Sequence, residues 1–534
     1  MIRRALISVS NKEGVVELAK ALKGFQYEIV STGGTAETLK EAGIEILSVS
    51  DYTGFPEMME GRLKTLHPRI HGAILGSREK SSHVDDAKTY GIKWIDLVVV
   101  NLYPFEDIAK LSRPEWNQLV ENIDIGGPAM IRAAAKNHRH VTVVVSPKNY
   151  KALIQRIKKN PESPFDLEYR WEMAARAFRH CAIYDSMIAS TMSQFKIDEN
   201  FDLQREGFPR YHFVHGRLLH ELRYGENPHQ KAAVYRLSRP KEDMPISKSL
   251  QGKELSFNNY LDADSAWTLI RELPPKSAVI IKHNSPCGVG IGSSALESFQ
   301  RALSSDPESA FGGIVAISDH VDADLASVLQ EHFFEIVCAH SFGVEAREIL
   351  QKKKNLRIIL IPKTENNEED FEKHKNLSVD IRKLHGAYLV QETDEFSSFH
   401  DFIFGLDSQC VTKRAPTEEE LRALRLAWVI AKNVKSNAIV IANETQSLGI
   451  AGGEVNRKFA TLSAVTRAHS KSSEIHVCAS DGFFPFKDSV EILAKAGITA
   501  IVQPGGSIRD EEVIEACNQH EIAMIFTKMR HFKH

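Results

Sequence analysis

The sequence predicts an α/β protein of at least two domains, the first built on a largely parallel sheet covered on both faces. Three observations carry this. The chain has 534 residues, more than one hydrophobic core ordinarily serves. Its strand-like runs are short and continuously apolar, as in DLVVVNL at 96–102, the pattern of strands buried on both faces. Between these runs lie segments with apolar residues three and four apart, so strands and helices alternate.

Taken in order, residues 3–10 read as a buried strand and 12–22 as a helix. Residues 27–31 are a second strand, followed by the glycine pair of STGGT and a helix through Glu41. Residues 44–49 are a third strand, and the Val-rich 96–102 and 141–146 are two more. Residues 168–192, alanine-rich with apolar residues at helical spacing, read as one long helix. The polar 194–209, containing Gly and Pro, reads as a linker. The expected domains are therefore 1–193 and 210–534. The second shows further α/β signals at 277–282, 313–318, 438–442 and 500–503. The charged run PKTENNEEDFEKHKN (362–376) reads as a solvated loop without chemistry, and no short tandem repeat is present.

Composition excludes several classes. A net charge of −3 indicates no polyanion-binding surface overall, so nucleic acid is not expected as a partner. The six cysteines form no C-x-x-C pair, which argues against structural zinc and against a disulfide framework. No stretch approaches the roughly 18 apolar residues of a membrane span, and the first apolar run is too short for a signal peptide. The expectation is a cytoplasmic protein with no membrane partner.

Two constellations carry chemistry. In the first, Ser31-Thr32-Gly33-Gly34-Thr35 lies between a strand and a helix. Glycines let backbone N–H groups approach an anion at a helix N-terminus, although the same segment serves as a plain βα turn capped by Thr. Gly61-Arg62-Leu63-Lys64-Thr65-Leu66-His67-Pro68 brings two cations and a hydroxyl, suited to a phosphate or oxyanion or simply to water. Asn101-Leu102-Tyr103-Pro104-Phe105 ends an apolar strand. Asp124-Ile125-Gly126-Gly127-Pro128 precedes an Ala-rich helix with Lys136-Asn137-His138. Ligands of open parallel sheets sit beyond the carboxyl ends of the strands, so these polar residues are site candidates; a strand-end Tyr anchor and an Asp N-cap are the plainer readings.

In the second constellation an apolar strand, Val279-Ile280-Ile281, ends in Lys282-His283-Asn284-Ser285-Pro286-Cys287-Gly288. His moves protons near neutral pH, and an adjacent Lys stabilises negative charge. Asn, Ser, Pro and Gly are then expected to turn the chain sharply, with Cys287 a small turn residue; a zinc-deaminase P-C-x-x-C is absent. Arg223-Tyr224 suits a phosphate and a ring. Asp481-Gly482-Phe483-Phe484-Pro485-Phe486 offers aromatics for a flat heterocycle, or core packing. Gly505-Gly506-Ser507 presents N–H groups, and Arg530 in MRHFKH is expected to be solvated.

These motifs, in this order and over the whole chain, resemble the PurH family of bifunctional purine-biosynthesis enzymes. STGGT, GRLKTLHP, NLYPF, DIGGP and AAKNH match its first half, and LRYGENPHQ, IKHNSPCG, AFGG, SDGFFPF and MRHFKH its second. The resemblance implies a methylglyoxal-synthase-like N-terminal domain and C-terminal cytidine-deaminase-like α/β units without zinc. It implies formyl transfer from 10-formyltetrahydrofolate to AICAR (phosphoribosylaminoimidazolecarboxamide), then closure of formyl-AICAR to IMP with loss of water. No metal is expected in the chemistry, and the family forms homodimers with transferase sites at the subunit interface.

By motif position, His283 resembles the transferase's proton acceptor and Lys282 its transition-state stabiliser. Arg223, Tyr224, Gly312, Glu335, Asn437, Arg457 and Arg530 match AICAR contacts, and Phe483, Asp488, Ser507 and Ile508 folate contacts. Lys136 resembles the cyclohydrolase's proton-transfer residue, with Lys64, Tyr103 and Asp124 as further catalytic or site groups. Ser10, Asn11, Lys12, Thr32, Gly33, Gly34, Thr35, Arg62, Thr65, Asn101 and Ile125 match nucleotide contacts. GIAGGEVNR at 449–457 departs from the family's more usual GIGAGQ, and Glu335 stands where Asp is frequent. Two other readings remain: a catalytically silent nucleotide-sensing protein, and a methylglyoxal-synthase-like lyase.

Overall fold

The computed structural model describes all residues except 1, 110, 112–113, 199, 206, 238–245, 247–248, 362–378, 395–407 and 469–475, so the charged run at 362–376 lies outside the described residues. The chain divides into two compact units, Met1–His215 and Gly216–His534.

The first unit is built on a five-stranded sheet of β1 (Arg3–Val9), β2 (Tyr27–Ser31), β3 (Leu47–Ser48), β4 (Leu97–Asn101) and β5 (Thr142–Val144). Its order is β3-β2-β1-β4-β5, and every pairing is parallel. Alternate side chains of β1 enter separate cores: Leu6 packs with the helices on one face, Ala5 and Ile7 with those on the other. This is why the strand has no polar face. The helix Val15–Gly24 buries Val15, Leu18, Ala19 and Leu22, one apolar stripe at helical spacing. It begins three residues later than expected, because Gly14 takes a left-handed conformation (φ 67°) before it. The expected strand at 44–49 shrinks to Leu47–Ser48. Ser48 accepts a cap from the Asp51 N–H, and Val49 already opens a short helix, Val49–Thr53. The long helix Leu167–Met192, capped by Asp166, feeds both cores, Tyr169 and Met173 on one side and Ala174, Ala177, Cys181, Tyr184 and Met187 on the other. The polar stretch read as a linker contains β6 (Phe195–Ile197) and β7 (Leu203–Arg205), paired antiparallel.

The second unit opens with a hairpin of β8 (Gly216–Leu222) and β9 (Ala232–Leu237). A six-stranded sheet follows, of β10 (Ser249–Gln251), β11 (Ser277–Lys282), β12 (Ser285–Ile291), β13 (Ile314–Val321), β14 (Ile336–Phe342) and β15 (Arg357–Leu360). After the hairpin β16 (Val379–Lys383) and β17 (Tyr388–Glu392) comes a second six-stranded sheet. It comprises β18 (Gln409–Cys410), β19 (Ile439–Ala442), β20 (Ser447–Ala451), β21 (His476–Ser480), β22 (Ile498–Gln503) and β23 (Ala523–Phe526).

The two sheets repeat one plan. Their orders, β10-β15-β14-β13-β11-β12 and β18-β23-β22-β21-β19-β20, correspond strand for strand. The register slips at the same place in both leading hairpins, leaving Cys287 and Leu448 as the extra residues. The sheet edges meet: Val289 N–H donates to Ser447 Oγ at 2.9 Å and Ile291 N–H to the Thr445 carbonyl at 2.7 Å. Between the sheets, the helices Phe257–Arg271 and Glu418–Lys432 share one core with strands of both. The second helix is buried without a break from Leu426 to Lys432. The Lys432 ammonium at its end pairs with Glu272, since a charge this deep needs a partner.

Candidate functional site

In the first unit, the polar segments gather at the carboxyl ends of β1, β2 and β4, where the strand order reverses. Asn101, at the end of β4, holds the loop after β1. Its Oδ1 accepts from the N–H groups of Ser10 (2.7 Å) and Asn11 (2.9 Å), and its Nδ2 donates to the Asn11 carbonyl. Thr35 is committed similarly, exchanging hydrogen bonds of 3.0 Å with the Val9 backbone. Thr32 Oγ1 donates to Glu57, a residue that sequence reasoning did not single out. These three side chains therefore shape the site.

The open donors lie at Gly33-Gly34, which begin the helix Gly33–Glu41. A Cβ on Gly33 would stand 3.2 Å from Lys64 Nζ, and one on Gly34 3.1 Å from Lys12 Nζ. Two ammonium groups thus face a bare turn at a helix N-terminus, a cradle for a dianion. Thr65 approaches the start of a second helix, Gly126–Lys136, so closely that a Cβ on Gly126 would be 2.8 Å from its Oγ1. Ile125 and Tyr103 are exposed at this rim. Arg62 is also exposed and pairs with Glu121. Lys136 lies at the other end of the Gly126–Lys136 helix, about 15 Å along its axis, beside Arg132, His138, Trp171 and Phe178.

Asp124 accepts from the Gly127 N–H at 2.7 Å, and its own N–H donates to Tyr184 Oη at 2.7 Å. Burial raises its carboxyl above the usual range, with the Gly127 and Tyr103 N–H groups and Lys64 opposing. The folded state thus holds this proton more tightly than the unfolded chain. Ionisation costs stability as pH rises past the unfolded value near ~3.9, up to the folded pKa, and the full cost persists above it. Asp124→Asn, which keeps an acceptor for Gly127, is expected to melt higher than the parent at pH 7. That advantage should vanish below pH ~4; a variant less stable at pH 7 contradicts the assignment.

In the second unit, the sequence placed the sharp turn after His283. The structure places it on His283 and Asn284 themselves. Lys282 pairs with Ser285 across a two-residue connection, both of whose residues are left-handed (φ 52° and 60°). This is the geometry of a tight hairpin turn, and it costs a non-glycine residue about 1 kcal/mol or more. Ser285 to Gly288, expected to belong to the turn, instead lie in strand β12 (Ser285–Ile291). Cys287 is its bulged residue, and burial pushes its thiol up to about 12, which leaves no thiolate nucleophile near neutral pH. His283 is exposed at the tip. It opens onto a concavity shared with Lys282, Ser285, Asp306, Gly449 and Arg467.

Lys282 Nζ donates to the Phe311 carbonyl at 2.8 Å, just before Gly312, which is left-handed (φ 74°). Glu335 accepts from Asn259 Nδ2 at 2.7 Å and lies 3.7 Å from Arg357. The first sheet therefore brings Lys282, His283, Gly312 and Glu335 to one end. Arg223 stacks on Tyr224 at 4.7 Å, directly after β8.

The remaining candidates sit on the second sheet. Arg457, almost fully buried, donates to Asp481 (2.6 Å), Ser480 (2.7 Å) and Asn437 (2.7 Å). Arg530 is exposed and lies over Phe532 at 4.2 Å. Phe483 is exposed, whereas Phe484 is core. Asp488 opens a helix 3.7 Å from Lys458, and Ser507 Oγ accepts from the Arg509 N–H. Ile508 is entirely solvent-facing, an unusual place for an isoleucine. The Gly506 N–H is already taken by Asp510. Among the described residues, no cluster of three or more His, Cys, Asp or Glu is placed to hold a metal. No helix among them is long and apolar enough to cross a membrane.

Two family models match the chain. A family model described as "MGS-like domain" matches residues 14–129, and one described as "AICARFT/IMPCHase bienzyme" matches 134–467. A relative from Halalkalibacterium halodurans, "Bifunctional purine biosynthesis protein PurH", is 47% identical over 537 residues, covering 100% of both chains. Proteins of the same name from Desulfitobacterium hafniense (45%, 100% of both chains) and Aquifex aeolicus (47%, 99% of this chain and 100% of that one) are equally full-length matches. With a family match over more than half its residues and full-length identity at this level, the chain belongs to the AICARFT/IMPCHase bienzyme family.

Proposed function

We infer that this bifunctional enzyme of purine biosynthesis keeps its two activities on separate units. The second unit transfers formyl from its co-substrate 10-formyltetrahydrofolate to the 5-amino group of AICAR. The first closes formyl-AICAR to IMP. The observation that carries the reading is the hairpin tip that presents His283 beside Lys282.

In formyl transfer, His283 takes the proton from the AICAR amine as its nitrogen attacks the formyl carbon. Lys282 spends one N–H on the Phe311 carbonyl and keeps donors for the oxyanion of the tetrahedral intermediate. Collapse breaks the bond to folate N10, which leaves with a proton. Glu335, Gly312, Asn437, Arg457, Arg223, Tyr224 and Arg530 hold AICAR; Phe483, Asp488, Ser507 and Ile508 line the folate side. In ring closure, the carboxamide nitrogen attacks the formyl carbon and water is lost. Lys12, Lys64 and the Gly33-Gly34 turn hold the nucleotide's negative charge, and Asp124 and Tyr103 handle protons at the near end of the helix that carries Lys136 at its far end.

The reading includes a cytoplasmic homodimer. It is supported by Leu218, Leu219, Tyr235 and Leu237, which are exposed on the hairpin of β8 and β9 leading to Arg223-Tyr224. The test is a coupled assay. Purified protein given AICAR and 10-formyltetrahydrofolate is expected to make IMP. Undiminished folate donor sinks the transferase reading, and supplied formyl-AICAR left uncyclised sinks the cyclohydrolase reading. Turnover of dihydroxyacetone phosphate in place of IMP would favour the lyase.

A further inference from the structure

The left-handed turn that presents His283 does not hold itself. Neither His283 nor Asn284 is glycine, and both are exposed at a hairpin tip. Such a turn persists only where its surroundings over-determine it. The surroundings here are one face of the helix Phe257–Arg271. Asp262 Oδ1 accepts from the Asn284 N–H at 2.7 Å, and the same carboxylate accepts from the His283 N–H. One turn further on, Ser265 Oγ donates to Asn284 Oδ1 at 3.3 Å. One turn earlier, Asn259 donates to Glu335 at 2.7 Å. Residues three apart on a helix share a face, so Asn259, Asp262 and Ser265 form one polar ridge. The ridge touches both the turn and a proposed substrate contact.

We propose that Asp262 is a positioning residue for formyl transfer, holding the backbone of the His283-Asn284 turn so that the imidazole stands at the reacting amine. It touches no substrate and moves no proton. Its carboxylate is partly buried, which raises its pKa. A site that carries this cost only to receive two backbone N–H groups has the turn as its purpose. The inference rests on the reading of His283 as the transferase's proton acceptor.

The experiment measures both half-reactions in the full-length enzyme. Asp262→Ala is expected to lower kcat for formyl transfer about 100-fold, the cost of a reacting group misplaced by an ångström. KM for AICAR should change less than about threefold, and cyclisation of supplied formyl-AICAR not at all, because the lost contacts orient a group and bind nothing. Asp262→Asn, which keeps an acceptor oxygen, should recover most of kcat. Adding Asn284→Gly to Asp262→Ala should recover part of it, because glycine takes a positive φ without strain. If Asp262→Ala does not fold, the Asn variant and the Gly-containing double variant carry the test. The idea is overturned if kcat stays near the parent's, if KM rises while kcat holds, or if neither rescue works in folded protein. His283→Ala separates the two claims. Formyl transfer surviving that change removes the reading of His283, whereas its loss together with an active Asp262→Ala removes only the role of Asp262.

Discussion

His283→Ala is expected to reduce formyl transfer by about 10²- to 10⁴-fold, the usual worth of a positioned general base, while cyclisation of supplied formyl-AICAR continues at the parent's rate. The size follows from where the imidazole sits. It crowns a two-residue turn, so no neighbour on the same loop can take over its proton. Cys287, the nearest alternative in the strand, has a thiol that burial keeps protonated. The independence of the second activity follows from the chain's division at His215 and from the cradle of Lys12, Lys64 and Gly33-Gly34, all in the first unit. Removing an exposed imidazole at positive φ should leave the melting temperature within a few degrees. Equal loss of both activities in a folded variant would refute separate sites.

Arg457→Met is the second large effect, and it falls on stability as well as on catalysis. Among the described residues, the guanidinium is the only cation bonded to Asp481, whose side chain has no solvent exposure. The other partners of that carboxylate are the Ala438 N–H and the Ser436 hydroxyl. Methionine fills much the same volume but leaves the carboxylate buried without a counter-charge, at a cost of about 3–5 kcal/mol. That is a large share of the stability of any domain, so the denaturant midpoint of the second unit should drop clearly. Arg457→Met combined with Asp481→Asn should be markedly less destabilised than Arg457→Met alone, since the pair is removed together. Formyl transfer stays impaired in both, because Asn437 loses the donor that fixes its Oδ1. A midpoint within experimental error of the parent's would show that the ion pair is not structural.

Much of the first unit was legible because its strands are apolar on both faces, and little else produces runs such as LVVVN. Boundaries were less so. Ser48 can end a strand or cap a helix, and only the Asp51 N–H decides which. At the site, the identities of Lys64, Asp124 and His283 could be read as motif residues, but their partners could not. Glu57 and Asp262 are acidic residues in unremarkable surroundings, and they matter because of what folds against them. The sequence around the Lys-His pair implies a Pro-Gly turn just after it. Composition argued for that, since Pro and Gly usually mark turns. Register overrode it, because the bulge at Cys287 lets Pro286 and Gly288 lie within a strand. The placement of Lys136, a helix length from the residue that opens its helix, was likewise invisible to a motif match.

The paired six-stranded sheets bear on what this molecule can lose over evolutionary time. Only one of the twin hairpins carries Lys-His; its counterpart reads Asn443-Glu444-Thr445-Gln446 and ties its own backbone through Asn443. A duplicated part with no proton to move is ordinarily free to decay. Here it is not, because the helices Phe257–Arg271 and Glu418–Lys432, one packed on each sheet, are buried in a single core that both sheets share. Deleting either half would bare the apolar wall of the other. The half without the base is thus retained as the inner wall of its twin, and selection on chemistry at one hairpin also preserves packing around the other.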